Sequence, residues 1–160
     1  DWTRYPDYRR PLHGAGVEFA QRGAGEEAAA GQPVFLVDTL GELQMFYAAS
    51  DVAFVAGSLV PVGGHSLLEP AVLGLPMLSG PHTQNAQDVA DLFEQCGALR
   101  IVRGKEELAQ RVVGWFDDPA LARADGERGQ HAVVQSRGAV RRLVAMVAPL
   151  ISPPAAGSGQ

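Results

Sequence analysis

At 160 residues the chain suits one domain with a real core, because that length buries roughly 70% of its unfolded surface, and it leaves too little for two full domains. A hydrophobic content of 46% with 19% charged residues excludes general disorder, while 19 glycines and 11 prolines mark a chain rich in turns. The net charge of −5 argues against a general nucleic-acid binder, the single Cys96 rules out an internal disulfide, and no apolar run approaches the roughly 20 residues that cross a bilayer.

The sequence opens at Asp1-Trp2-Thr3-Arg4 with neither an initiator methionine nor a preceding strand, and reads as a piece of something longer whose missing part lies N-terminal. Residues 14–22 read as weakly helical and residues 23–32 as a loop of small and acidic residues. Residues 34–37, Val-Phe-Leu-Val, are a continuous apolar run with the length and β-branching of a buried strand. Helical spacing over residues 41–50 and an apolar run at 52–55 complete a β-α-β unit.

Residues 57–64 form a loop, 67–73 a short helix ended by Gly74, and 76–79 another strand. A third helix over residues 85–96 stops at Gly97, and residues 99–102 read as the fourth strand. Helices are predicted at 105–116 and from Pro119 to about Val147, the last broken near Gly138, with order ending at residue 150 and a flexible tail at 151–160. Leu43, Phe46, Leu92, Phe93, Trp115, Phe116 and Cys96 are expected in the core. The alternation predicts an α/β fold, a three-layer Rossmann-like domain with a mainly parallel sheet and its ligand at the C-terminal ends of the strands.

Charge is uneven. Residues 24–119 hold 13 acids against four bases, whereas residues 120–160 hold five arginines against Asp125 and Glu127. That basic end reads as a solvated helix face, with contact to anionic lipid headgroups as the functional alternative.

Three clusters sit where strands turn into helices: Asp-Thr-Leu-Gly-Glu-Leu at 38–43, Gly-Gly-His-Ser-Leu-Leu-Glu-Pro at 63–70, and Gly-Pro-His-Thr-Gln-Asn at 80–85. Helix N-termini gathered on one rim of a parallel sheet offer unpaired N–H groups to a phosphate. Thr39 with Glu42 and Ser66 with Glu69 also fit capping boxes, a purely structural use of the same residues. Gly41 inside a helical first turn costs about 1 kcal/mol against alanine unless a ligand approaches the backbone. His65, Glu69 and His82 lack a third ligand at metal-binding spacing, so no metal is expected, and adjacent His65 and Ser66 do not make a hydrolase pair.

Taken together and in order, these segments closely resemble the C-terminal half of the bacterial 3-deoxy-D-manno-octulosonic acid (Kdo) transferases, from about Val34 to Asn85 and more loosely to the C-terminal helix. The resemblance implies the C-terminal half of a GT-B architecture, a donor domain for CMP-Kdo. It implies a parent enzyme that passes Kdo to a lipid A precursor at the cytoplasmic face of the bacterial inner membrane. The family's CMP contacts fall here on Arg4, on Leu40, Gly41 and Glu42, and on Ser66, Leu67, Leu68 and Glu69. Thr3, Leu40 and Ser66 depart from the family's proline, methionine and asparagine.

In this reading Gly63, Gly64 and the helix near Ser66 receive the phosphate, Glu69 holds ribose, and Leu40 to Glu42 line the cytosine pocket. His65, His82, Thr83 and Asn85 stand behind them. The resemblance implies an inverting reaction whose general base and acceptor site belong to the missing N-terminal domain, with membrane contact through the parent protein. No catalytic residue and no cofactor is therefore expected in this chain, which alone should bind CMP without catalysing transfer. The rival readings are a UDP-sugar-using GT-B transferase or epimerase domain, and a non-catalytic α/β interaction module.

Overall fold

A computed structural model describes residues 9–151, with side chains as far as Arg137. The chain divides into two compact units, one up to Leu43 and one from Gln44.

In the first unit, helix α1 (Arg9–Gly14) is followed by strand β1 (Phe19–Gln21), a 3-10 turn (Arg22–Ala24) and strand β2 (Val34–Leu36). β1 and β2 pair in parallel, Phe19 opposite Val34 and Gln21 opposite Leu36. The weak helix predicted over residues 14–22 is thus wrong for most of its length. Gly16, at φ +65°, turns the chain after α1, and Phe19 enters a strand pairing that local propensity does not announce. β2 is half-buried rather than buried, and it pairs with β1 instead of sharing a sheet with the strands that follow.

The second unit contains helix α2 (Leu43–Ala48, from its second residue), strand β3 (Ala53–Val55), helix α3 (Leu68–Val72), strand β4 (Met77–Ser79), helix α4 (Gln87–Gln95), strand β5 (Leu99–Ile101), helix α5 (Lys105–Asp117) and helix α6 (Pro119–Ile151). The strands form a parallel sheet in the order β3-β4-β5, with β4 central and buried throughout. Successive side chains of a strand face opposite ways, which divides the core in two. Met77 packs with Ala71, Ala90, Phe93, Ala132 and Val133 from α3, α4 and α6, while Leu78 packs with Val102 and Trp115 on the α5 side.

Helix α6 reaches both layers. Ala122 near its start packs on the α5 side, and Ala132 and Val133 pack with α3 and α4. Two glycines permit the close passage: a Cβ on Gly126 would overlap the Gly74 carbonyl, and one on Gly129 would sit 3.2 Å from the Ala98 Cβ. On α6, between these two contacts along the chain, Asp125 is fully buried and accepts hydrogen bonds from Arg100 of β5 (Nη2, 3.1 Å), the Trp115 indole (3.1 Å) and Arg128. Arg128 also donates to the Gly97 carbonyl at 3.2 Å.

Several expectations need correction. Arg128 is drawn into this network and does not belong to a purely solvated arginine face. α6 runs through Gly138 without a break, as a lone glycine costs a helix only about 1 kcal/mol. Leu43, Leu92 and Phe116 (57% exposed) lie at the surface, whereas Phe93 and Trp115 are buried. Among the described residues, no helix is long and apolar enough to cross a membrane.

Candidate functional site: two interlocked loops at the strand ends

The loops leaving β3 and β4 start from the C-terminal ends of adjacent parallel strands and so share one rim of the sheet. Ser58, wholly buried, joins them. Its hydroxyl donates to the Val55 carbonyl (2.7 Å) and accepts from the Gly80 N–H (2.8 Å), and its own carbonyl accepts from the His82 N–H (2.9 Å). A Cβ on Gly80 would collide with the Ser58 carbonyl and the Leu59 amide, so only glycine lets the second loop approach this closely.

The first loop then folds back on itself, with the Gly64 N–H donating to the Gly57 carbonyl at 2.9 Å. Gly63 (φ +108°) and Gly64 (φ +75°) both adopt a left-handed backbone that side chains rarely tolerate. Beyond that bend, among the described residues, the backbone N–H groups of His65, Ser66 and Leu67 have no hydrogen-bond partner, nor has that of Gly63. Consecutive unpaired amides form a concave donor set suited to an anion.

Around this bend stand the polar side chains. The His65 ring edge lies 3.1 Å from where a Cβ on Gly57 would be, so the absent side chain at 57 makes room for the imidazole. Thr83 is buried, its hydroxyl donating to the Gln87 side chain at 3.0 Å. Glu69, in the first turn of α3, makes no hydrogen bond among the described residues, leaving its carboxylate free to accept from hydroxyls. Burial, and secondarily the Glu69 charge, pushes the Tyr47 phenol above its ordinary value.

The Leu40–Glu42 segment belongs to the first unit. The Arg22 guanidinium grips Glu42 in a bidentate pair (2.9 and 3.3 Å), and the Thr39 hydroxyl donates to the same carboxylate. The Arg22 hydrogen bond, then that of Thr39, holds Glu42 below the ordinary carboxylate range. Hydrogen bonds from the Gln21 side chain (2.5 Å) and the Gly23 N–H (2.7 Å) do the same for Asp38.

No protein-family model matches the chain. Over 135 residues it is 33% identical to the 3-deoxy-D-manno-octulosonic acid transferase of Haemophilus influenzae, an alignment spanning 84% of this chain and 32% of that protein. Over 147 residues it is 36% identical to the enzyme of the same name from Bordetella pertussis, spanning 88% and 33% respectively. Its fold is similar to the crystal structure of the C-terminal CMP-Kdo binding domain of WaaA from Acinetobacter baumannii, with a TM-score of 0.78 and 28% identity over 83% of this chain and 69% of that one. The chain resembles a Kdo transferase C-terminal half in sequence and fold. It matches the family's C-terminal half, a GT-B donor-side fold, and spans about a third of the length of the curated relatives it matches.

Within that Kdo transferase fold, the residues singled out by sequence occupy unequal positions. Neither expected capping box forms. The Thr39 hydroxyl bonds a side chain and α2 begins only at Leu43, while α3 begins at Leu68 with no side-chain cap, leaving Ser66 exposed in the loop. Gly41 has φ +83°, a left-handed backbone that by itself favours glycine, and no protein atom lies within 4 Å of where a Cβ would be. α3 has five residues, too few aligned peptides for the strong end charge that a phosphate site at a helix N-terminus requires.

Leu67 is 2% exposed and packs in the core, which removes its side chain from any ligand contact, whereas Leu68 lines an apolar groove with Val72, Val89 and Leu92. Leu40 is 67% exposed. Arg4 lies outside the described residues, as does the predicted tail from residue 152. Sequence reasoning missed Ser58 and gave Gly80 no part beyond opening its cluster, although a glycine directly after an apolar strand was the available signal.

Proposed function

We propose that this chain is the donor-nucleotide domain of a Kdo transferase, holding CMP-Kdo for transfer to a lipid A precursor at the cytoplasmic face of the inner membrane. The observation that carries the reading is the run of unpaired amides at His65, Ser66 and Leu67, followed in the first turn of α3 by Glu69, whose carboxylate makes no hydrogen bond among the described residues. Amides receive the single phosphate of the donor, and Glu69 accepts hydrogen bonds from the ribose hydroxyls. As CMP departs, charge grows on that phosphate, and fixed N–H dipoles that need no reorganisation stabilise it.

The domain is proposed to extend over residues 1–150, with 151–160 as a tail and with Arg4 and the Leu40–Glu42 turn as further cytidylate contacts. Deprotonation of the acceptor hydroxyl requires a base, and none is assigned to this chain, which alone should bind CMP and transfer nothing. Calorimetric titration of the chain with CMP, CDP and UMP tests the reading. CMP is expected to bind in preference to UMP. Indifference to all three refutes a donor domain, and preference for UMP points to a UDP-sugar enzyme.

A further inference from the structure

Asn85 reaches across from the second loop to the glycine bend of the first. Its backbone N–H donates to the Gly63 carbonyl at 3.2 Å, and its side-chain amide donates to the carbonyls of Val62 and Gly64, both at 3.4 Å. The same side chain fills the space beside Gly63, where a Cβ would overlap the Asn85 amide group. Three successive carbonyls are thus turned toward one residue, and the peptide that follows them begins the run of unpaired N–H groups at His65 and Ser66.

A peptide unit is planar, so fixing a carbonyl fixes the N–H at its other end. Holding the Gly64 carbonyl therefore sets the direction of the His65 N–H. Glycines at 63 and 64 would otherwise leave this stretch with wide conformational freedom, and an anion site built from backbone amides binds well only when those amides are already aimed. Asn85 is exposed, and its bonds at 3.4 Å are long, which suits it to orient a loop more than to support the fold.

We propose that Asn85 is the positioning residue of the donor-phosphate loop, clamping Val62, Gly63 and Gly64 so that the amides of His65 and Ser66 converge on an anion; this rests on the donor-site reading above. Asn85 does not touch the phosphate itself. It works together with Gly63, whose missing side chain gives the clamp its place.

The test is calorimetry with CMP on the 160-residue chain and on Asn85→Ala, Gly63→Ala and the double variant, alongside thermal melts and amide NMR spectra. Loss of the side-chain bonds is expected to weaken CMP by about tenfold in Asn85→Ala, with the melting temperature lowered by less than about 4 °C. The His65 and Ser66 amide resonances should move without ligand, while the Trp115 indole stays in place. Gly63→Ala should weaken CMP as well, and the double variant should lose no more than the worse single one, because removing Asn85 vacates the space the new methyl needs.

If wild type binds CMP and Asn85→Ala binds it equally, the clamp is refuted while the donor site stands. If wild type ignores CMP, the donor-site reading and the clamp fall together. Should Asn85→Ala lose binding only in step with a large drop in melting temperature, Asn85→Asp decides: it keeps the bulk but lacks the donors, and unimpaired CMP binding there refutes the clamp.

Discussion

Replacing Asp125 by alanine should be the most damaging single change in the second unit. The buried carboxylate accepts from Arg100, Trp115 and Arg128, and so ties β5, α5 and α6 together. Breaking a buried ion pair costs about 3–5 kcal/mol. Both arginine side chains are about 40% exposed and can turn to water, which places the cost near the lower bound, about 3 kcal/mol, most of it from stranding the Trp115 N–H and leaving a void. For a domain of this size that corresponds to a fall of about 6–12 °C in melting temperature. An asparagine at this position would retain an acceptor for the indole and the shape of the side chain, so Asp125→Asn should cost less than half as much. Melts followed by circular dichroism, with urea midpoints as an independent measure, check both variants. An alanine variant within about 1 kcal/mol of wild type, or an asparagine variant equally damaged, refutes the view that this network ties β5, α5 and α6 together.

Gly126→Ala should cost at least about 2 kcal/mol, because its methyl meets the Gly74 carbonyl and α6 must lift from the turn after α3; the urea midpoint reads this. Gly64→Val should keep the fold at a lower melting temperature yet lose CMP binding, and a variant that still bound CMP would favour a docking platform over a nucleotide site. Glu42 and Asp38 hold their protons less readily folded than unfolded, so they stabilise above their ordinary values of 4.5 and 3.8 and that contribution is lost as pH falls through their lower folded values. Glu42→Gln should flatten the acid limb of stability against pH, and an unchanged limb would mean the Arg22 pairing contributes nothing.

Strands β3, β4 and β5 and helices α4 and α5 were legible because their apolar runs are bounded by glycine or proline, and because buried parallel strands read as continuous hydrophobic stretches. β1 was not, since three residues with no alternation carry no periodic signal and its pairing with Val34 is a matter of tertiary structure. The glycine-histidine loop was singled out in the sequence, but its capping was misjudged. Ser66 and Glu69 have the right spacing, yet the helix begins one residue later than that spacing implies, with Leu67 at the N-cap. Asp125 and Arg100 stand 25 residues apart, so no local pattern announces their meeting, although the three-residue interval from Asp125 to Arg128 on a helix was a readable half of it.

The contact between Ser58 and Gly80 constrains how such a protein can be altered. Neither turn has slack of its own: one supplies a buried hydroxyl and a carbonyl, the other an amide and the vacancy of a missing side chain. Transplanting residues 57–66 from a relative with a different nucleotide preference, while keeping residues 80–85, would set two unmatched surfaces against each other at atomic range. Under the donor site proposed above, a change in donor preference has to exchange both segments in the same step.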